Sequence, residues 1–96
     1  MTFELEFDRR ALKEWHKLGK TVQAQLKEKL AEVVINPRVP GSKIRELPNC
    51  YKIKLRSSGY RLIYQVQDKR VVVFVLAIGK RENEEAYETA KTRLTN

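Results

Sequence analysis

Residues 50–66 read CYKIKLRSSGYRLIYQV. Two apolar-alternating runs flank a Ser-Ser-Gly, which predicts a β-hairpin with a tight turn at 57–59. Successive side chains of a strand point to opposite faces. Tyr51, Ile53 and Leu55 therefore share one face, and Lys52, Lys54 and Arg56 share the other. In the second strand Tyr60, Leu62, Tyr64 and Val66 alternate with Arg61, Ile63 and Gln65, so Arg61 joins Lys52 and Lys54 across the hairpin. No acidic residue lies anywhere in the stretch. Like charges facing each other weaken a sheet, so a purely structural hairpin gains nothing from this arrangement. It suits a missing anion, and phosphate matches the planar fork of arginine and the point charge of lysine.

The charge of the whole chain points the same way. Its 96 residues carry a formal net charge of +8. Residues 1–36 are almost balanced, whereas residues 37–61 hold seven Lys/Arg and one acid, Glu46. Such a concentration predicts a polyanionic partner. The length allows one domain, spanning 1–96, with a modest core and no deep cofactor pocket. Cys50 is the single cysteine, so no internal disulfide forms; beside a strand it reads as a small core residue. The N-terminus lacks the apolar stretch of a signal peptide, and VVVFVLAI (71–78) is too short to span a bilayer. These features predict a cytoplasmic protein without membrane contact.

Outward from the hairpin, FELEF (3–7) alternates as a strand with one buried face. RRALKEWHKL (9–18) carries Ala11, Leu12, Trp15 and Leu18 at helical spacing, capped by Asp8 and closed by Gly19. VQAQLKEKLAEVVI (22–35) makes a second helix, with Thr21 as its cap and Val22, Leu26, Leu30, Val33 and Val34 as its stripe. Residues 36–49 hold three prolines and read as loop. VVVFVLAI is a central strand buried on both faces. GKRENEEAYETAKTRL (79–94) closes the chain as a polar helix whose apolar stripe is only Ala86, Ala90 and Leu94. The order β-α-α-β-β-β-α predicts an α+β fold. A small antiparallel sheet has a helical hairpin on one face, and its other face, with the cations, is partly open.

Metal ligation and Ser/His/Asp or Cys/His chemistry find no support in the residues: His16 sits alone on a helix, and Ser57 and Ser58 are turn residues. RNA cleavage by the ribose 2′-OH needs neither. It needs a base, an acid and charge stabilisation on the phosphorane. Crowded lysines favour their neutral form and can move protons. Arg61 can hold the phosphorane charge. Tyr87 either stacks on a base or packs the last helix on the sheet, and Arg81 and Arg45 can reach the same end of the sheet.

RALKEWHKLG, CYKIKLRSSGYRLIYQV and VVVFVLAIGKRE closely resemble the RelE family of bacterial toxins, over essentially the whole chain. The resemblance implies a RelE/ParE-like fold and a ribosome-dependent endoribonuclease, an mRNA interferase needing no cofactor. Such an enzyme cuts the A-site codon by 2′-OH attack and inhibits translation. It implies a 70S ribosome partner (16S rRNA and A-site mRNA), a RelB-type antitoxin, and operator DNA reached only through that antitoxin. The family's catalytic positions fall on Lys52, Lys54, Arg61, Arg81 and Tyr87, and its arginine before the hairpin on Arg45; Arg56 joins Arg45 as a substrate- or rRNA-binding residue. Two rivals stand beside this reading: a ParE-like gyrase inhibitor and a non-enzymatic RNA-binding module. The sheet tyrosines alternate away from the basic face, which disfavours simple base stacking on the strands.

Overall fold

The computed structural model describes residues 2–80 and 85–94, apart from the side chain of Glu85. In chain order the elements are β1 (Glu4–Phe7), α1 (Arg9–His16), α2 (Lys20–Val33), β2 (Cys50–Leu55), β3 (Tyr60–Gln67), β4 (Val72–Lys80) and α3 (Glu85–Leu94). This is the expected α+β order.

The sheet order is β1-β4-β3-β2. β2, β3 and β4 pair antiparallel, but β1 lies parallel to β4, Glu4 opposite Val72 and Phe7 opposite Val75. The sheet is thus mixed rather than wholly antiparallel. Alternation in FELEF reports which side chains are buried and says nothing of strand direction. The helical hairpin carries the chain from one edge of the sheet to the other, which lets β1 align with β4.

The hairpin register is as read: Tyr51 faces Tyr64, Ile53 faces Leu62, Lys54 faces Arg61. Gly59 closes the turn at φ 75°, a conformation that suits glycine, and its N–H bonds the Leu55 carbonyl at 2.9 Å. Ala11 and Trp15 of α1, with Leu26, Leu30 and Val33 of α2, pack on Tyr51, Ile53, Leu55, Leu62, Tyr64 and Val66. Leu12, expected in the stripe, is instead 40% exposed, because the buried line runs 11, 15, 18. Asp8 does cap α1, accepting from the Arg10 N–H at 2.8 Å; the Arg10 guanidinium beside it holds its carboxyl down at about 2. Gly19, expected to close α1, is instead the N-cap of α2, and Thr21 lies inside that helix. α1 already ends at His16, with Lys17 as its C-cap.

The opposite face is less open than expected. Ile44, Leu47, Cys50, Ile63, Leu76, Ala77, Ala86 and Ala90 form a second small core there, under α3. Alanines bring the helix close to the sheet, so a thin stripe suffices. A β-bulge between Ile63 and Tyr64 pairs Ile63 with Ala77 and Tyr64 with Val75, leaving Leu76 as the extra residue of β4. Both Leu76 and Ala77 therefore feed the second core.

α3 is fastened at that bulge. The buried Arg93 guanidinium donates to both Glu14 oxygens at 3.0 Å and to the Leu76 carbonyl at 2.6 Å. Glu14 also accepts from the Ile78 N–H at 3.0 Å. One fork thus joins α1, β4 and α3. Arg93→Ala strands a half-buried carboxylate and should lower the free energy of unfolding by about 3 kcal/mol in urea titrations, with Arg93→Lys losing less. A loss under about 0.5 kcal/mol would show that the fork does not hold the helix. Cys50 is fully buried, and burial pushes its thiol up to about 12. It should resist a thiol reagent at neutral pH until the chain unfolds; stoichiometric labelling of the native protein would contradict its place in the core.

Candidate RNA-cleavage site

The register builds the site in rows. On the α3 face, Lys52 of β2 stands beside Ile63 and then Ala77, and Lys54 stands beside Arg61 and then Gly79. α3 covers the first row through Ala86 and Ala90. The second row lies toward the end of β4, where Gly79 offers no side chain next to Arg61. Cations and apolar residues share this face because β2 and β3 switch from apolar to basic as they leave the helix.

Arg61 is the unusual member. It is 8% exposed, and its Nε and Nη1 are buried without a hydrogen-bond partner among the described residues. A buried donor left unmade costs about 1–3 kcal/mol. The neighbour across the ladder, Lys54, is another cation and cannot satisfy it. What covers Arg61 is Tyr87: the guanidinium carbon sits 4.7 Å from the ring centre, and the Lys52 ammonium 6.0 Å from the same ring. A cation over an aromatic face recovers about 1–2 kcal/mol when desolvated, only part of that cost. The ring comes from one side of α3, whose Ala86 and Ala90 are in the second core. Arg93 is six residues after Tyr87, so the fork on Glu14 fixes the helix that presents the ring.

The sequence-derived residues thus separate into two groups. Lys52, Lys54, Arg61 and Tyr87 are brought together, Lys52 half-buried and Lys54 exposed on the edge strand. Arg81 lies outside the described residues. Arg56 is exposed in the turn after β2, and Arg45 is exposed between Ile44 and Leu47, which anchor that segment in the second core. Among the described residues the Arg45 guanidinium makes no ion pair. Of the two roles the sequence left open for Tyr87, the structure shows the packing one: its ring lies against the second core, and it also lies over the cations.

Sequence reasoning passed over Glu14, Arg93 and Gly79. Glu14 and Arg93 are 79 residues apart and each looks like an ordinary charge on a helix surface. Only the bulge, which leaves backbone groups of β4 to be satisfied, gives them a task. The proton-shifting groups elsewhere are structural: Tyr64 is raised by burial and donates to the Pro37 carbonyl at 2.7 Å.

Comparison with known proteins agrees with this fold. The family model for the ParE toxin of the type II toxin–antitoxin system parDE matches residues 5–85. The mRNA interferase toxin RelE of Escherichia coli K12 is 61% identical over 94 residues, covering 98% of this chain and 99% of the relative. A structure of E. coli RelE in the free state, bearing two arginine-to-alanine changes, superposes with a TM-score of 0.91 at 60% identity, covering 98% and 99% of the two chains. The crystal structure of the intact E. coli RelBE toxin–antitoxin complex matches at 0.81 and 64%, covering 83% of this chain and 98% of that one. The family model alone would leave a gyrase poison in play, but identity at this level along the full length is to the ribonuclease branch. The chain belongs to the RelE family of toxins, the mRNA interferases within the wider ParE-type toxin fold.

Proposed function

We propose that this toxin cleaves mRNA in the ribosomal A site by attack of a ribose 2′-OH on the adjacent phosphorus, and that a RelB-type antitoxin neutralises it. The observation that carries the reading is Arg61: a buried guanidinium whose Nε and Nη1 find no hydrogen-bond partner among the described residues, faced by a lysine and roofed by an aromatic ring. A phosphorane supplies the oxygens those donors lack, and supplies them most strongly when its charge is greatest, which is what lowers a barrier.

In the step, the 2′-oxygen bonds to phosphorus and the P–O5′ bond breaks. The products are a 2′,3′-cyclic phosphate and a free 5′-OH. The 2′-OH proton leaves to a base, and an acid protonates the departing 5′-oxygen. Lys52 and Lys54 are assigned the proton transfers and Arg61 the phosphorane. Arg81 is assigned to the leaving oxygen on the family's pattern. Tyr87, already lying against Arg61 and Lys52, orients the nucleotide by stacking. Arg45 and Arg56 hold RNA backbone around the site. With no histidine or carboxylate in the row among the described residues, the rate depends on a well-aligned substrate, and the ribosome supplies that alignment. The complex of the E. coli relative with RelB motivates the antitoxin assignment; DNA is then reached only through that partner.

The test is a map of 3′ ends on ribosomes programmed with an empty A site. Wild type should cut within the A-site codon, and Lys52→Ala/Lys54→Ala should cut at least about 100-fold more slowly. An intact message under wild type would overturn the reading, and a supercoiling assay would then test gyrase. Arg61 gives a second, opposed pair of readouts. Arg61→Met should slow cleavage by about 100- to 1000-fold, yet raise the free energy of unfolding by about 1 kcal/mol, because it removes the unmade donors. An Arg61→Met protein that is less stable would mean that the guanidinium serves the fold.

A further inference from the structure

A second basic surface lies on the α2 side of the edge strand. A groove of about 550 Å³ runs between α2, the 36–42 segment and β2. Lys29 and Glu32 enter it from the helix, Ser42 from the loop, and Lys52, Lys54 and Arg56 from the strand and the turn after it. Four cations face one carboxylate. Lys29 and Arg56 are exposed and make no ion pair among the described residues. Lys29 belongs to the nearly balanced first third of the chain, and only the fold adds it to the basic segment.

The walls are held without using those cations. The Lys52 N–H donates to the Ser42 carbonyl at 3.0 Å, and the Tyr64 hydroxyl donates to the Pro37 carbonyl at 2.7 Å. Arg38 reaches Asn49, Tyr51 and Asp68. The 36–42 segment is therefore tied to β2, to β3 and to the residues at their ends. Lys52 and Lys54 border both the groove and the row that holds Arg61. An anionic chain seated on the row runs over this edge into the groove.

We infer that the groove binds RNA backbone phosphates flanking the one that is cut, with Lys29 and Arg56 as contacts beyond the catalytic row. The inference rests on the ribonuclease reading above. Each phosphate neutralised releases counterions, so the contacts are countable in salt dependence.

The probe is a single-stranded RNA carrying 2′-O-methyl groups throughout, which binds and cannot be cut. Lys29→Ala/Arg56→Ala should weaken its binding about 10-fold at low salt. The slope of log affinity against log salt should fall by about 1.4, at about 0.7 per phosphate. On programmed ribosomes the same variant should raise KM about 10-fold with kcat held, as expected for binding shared by ground and transition states. Restoring a cation as Lys29→Arg in the Arg56→Ala background should recover half of the slope. Weakened binding to empty 70S ribosomes with unchanged oligonucleotide binding would assign the same chemistry to rRNA phosphates. Unchanged affinity and slope for both RNAs would overturn the inference. Groove-dependent oligonucleotide binding by a wild-type protein that cuts nothing would instead sink the ribonuclease reading alone.

Discussion

A guanidinium buried in a β-sheet normally meets a carboxylate. Arg61 meets Lys54 across the strand, a glycine on the other side and an aromatic ring above. Much of the molecule follows from keeping that arrangement in place. The hairpin turn at Gly59 sets the register that pairs the two cations. The α1–α2 layer buries Tyr51, Ile53, Leu55 and Leu62 and so forces Lys52, Lys54 and Arg61 to the other face. The bulge at Leu76 lets two consecutive residues of β4 build a platform for α3. The Glu14–Arg93 fork then fixes the helix that lays Tyr87 over the site. Stability is given up at one point of the sheet and recovered in two apolar cores, a division expected where function requires an unsatisfied charge.

In the proposed mechanism, the lack of a counter-charge on Arg61 among the described residues is also what separates catalysis from mere attraction. An exposed patch of lysines binds RNA through ion release, and its energy is the same in ground and transition states. A fixed, dry set of N–H donors responds to how much charge the phosphorus carries. On the proposed reading Arg61 is that fixed element, and Lys29 and Arg56 are the loose one. The row and the groove lie on two sides of one edge strand, with Lys52 and Lys54 common to both.

How far the sequence could be read depended on the range of each interaction. Strand alternation is local, so the facing of Tyr51, Ile53 and Leu55 against Lys52, Lys54 and Arg61 could be read directly, and with it the core of the site. Helical spacing likewise exposed the buried line of α2. The parallel pairing of β1 with β4 could not be read, since FELEF carries burial and no direction. The second core escaped for a related reason. Ala86 and Ala90 look weak as a stripe, and their worth appears only when a bulged strand offers a close surface. Glu14, Arg93 and Lys29 are charges on helix faces, and nothing local separates them from solvated neighbours. Arg45 and Arg56 came from charge and family pattern, and they remain at the margin of the row.

The central claim is that the unmade donors of Arg61 await a phosphate. The most direct test is the side-chain Nε–H resonance of Arg61 in nitrogen-edited NMR, followed while a nucleoside 3′-monophosphate is titrated in. The account predicts a specific downfield shift and slowed exchange of that proton, together with ring-current changes from Tyr87, all absent with the unphosphorylated nucleoside. A resonance indifferent to the phosphate, at concentrations where other basic residues respond, would contradict it.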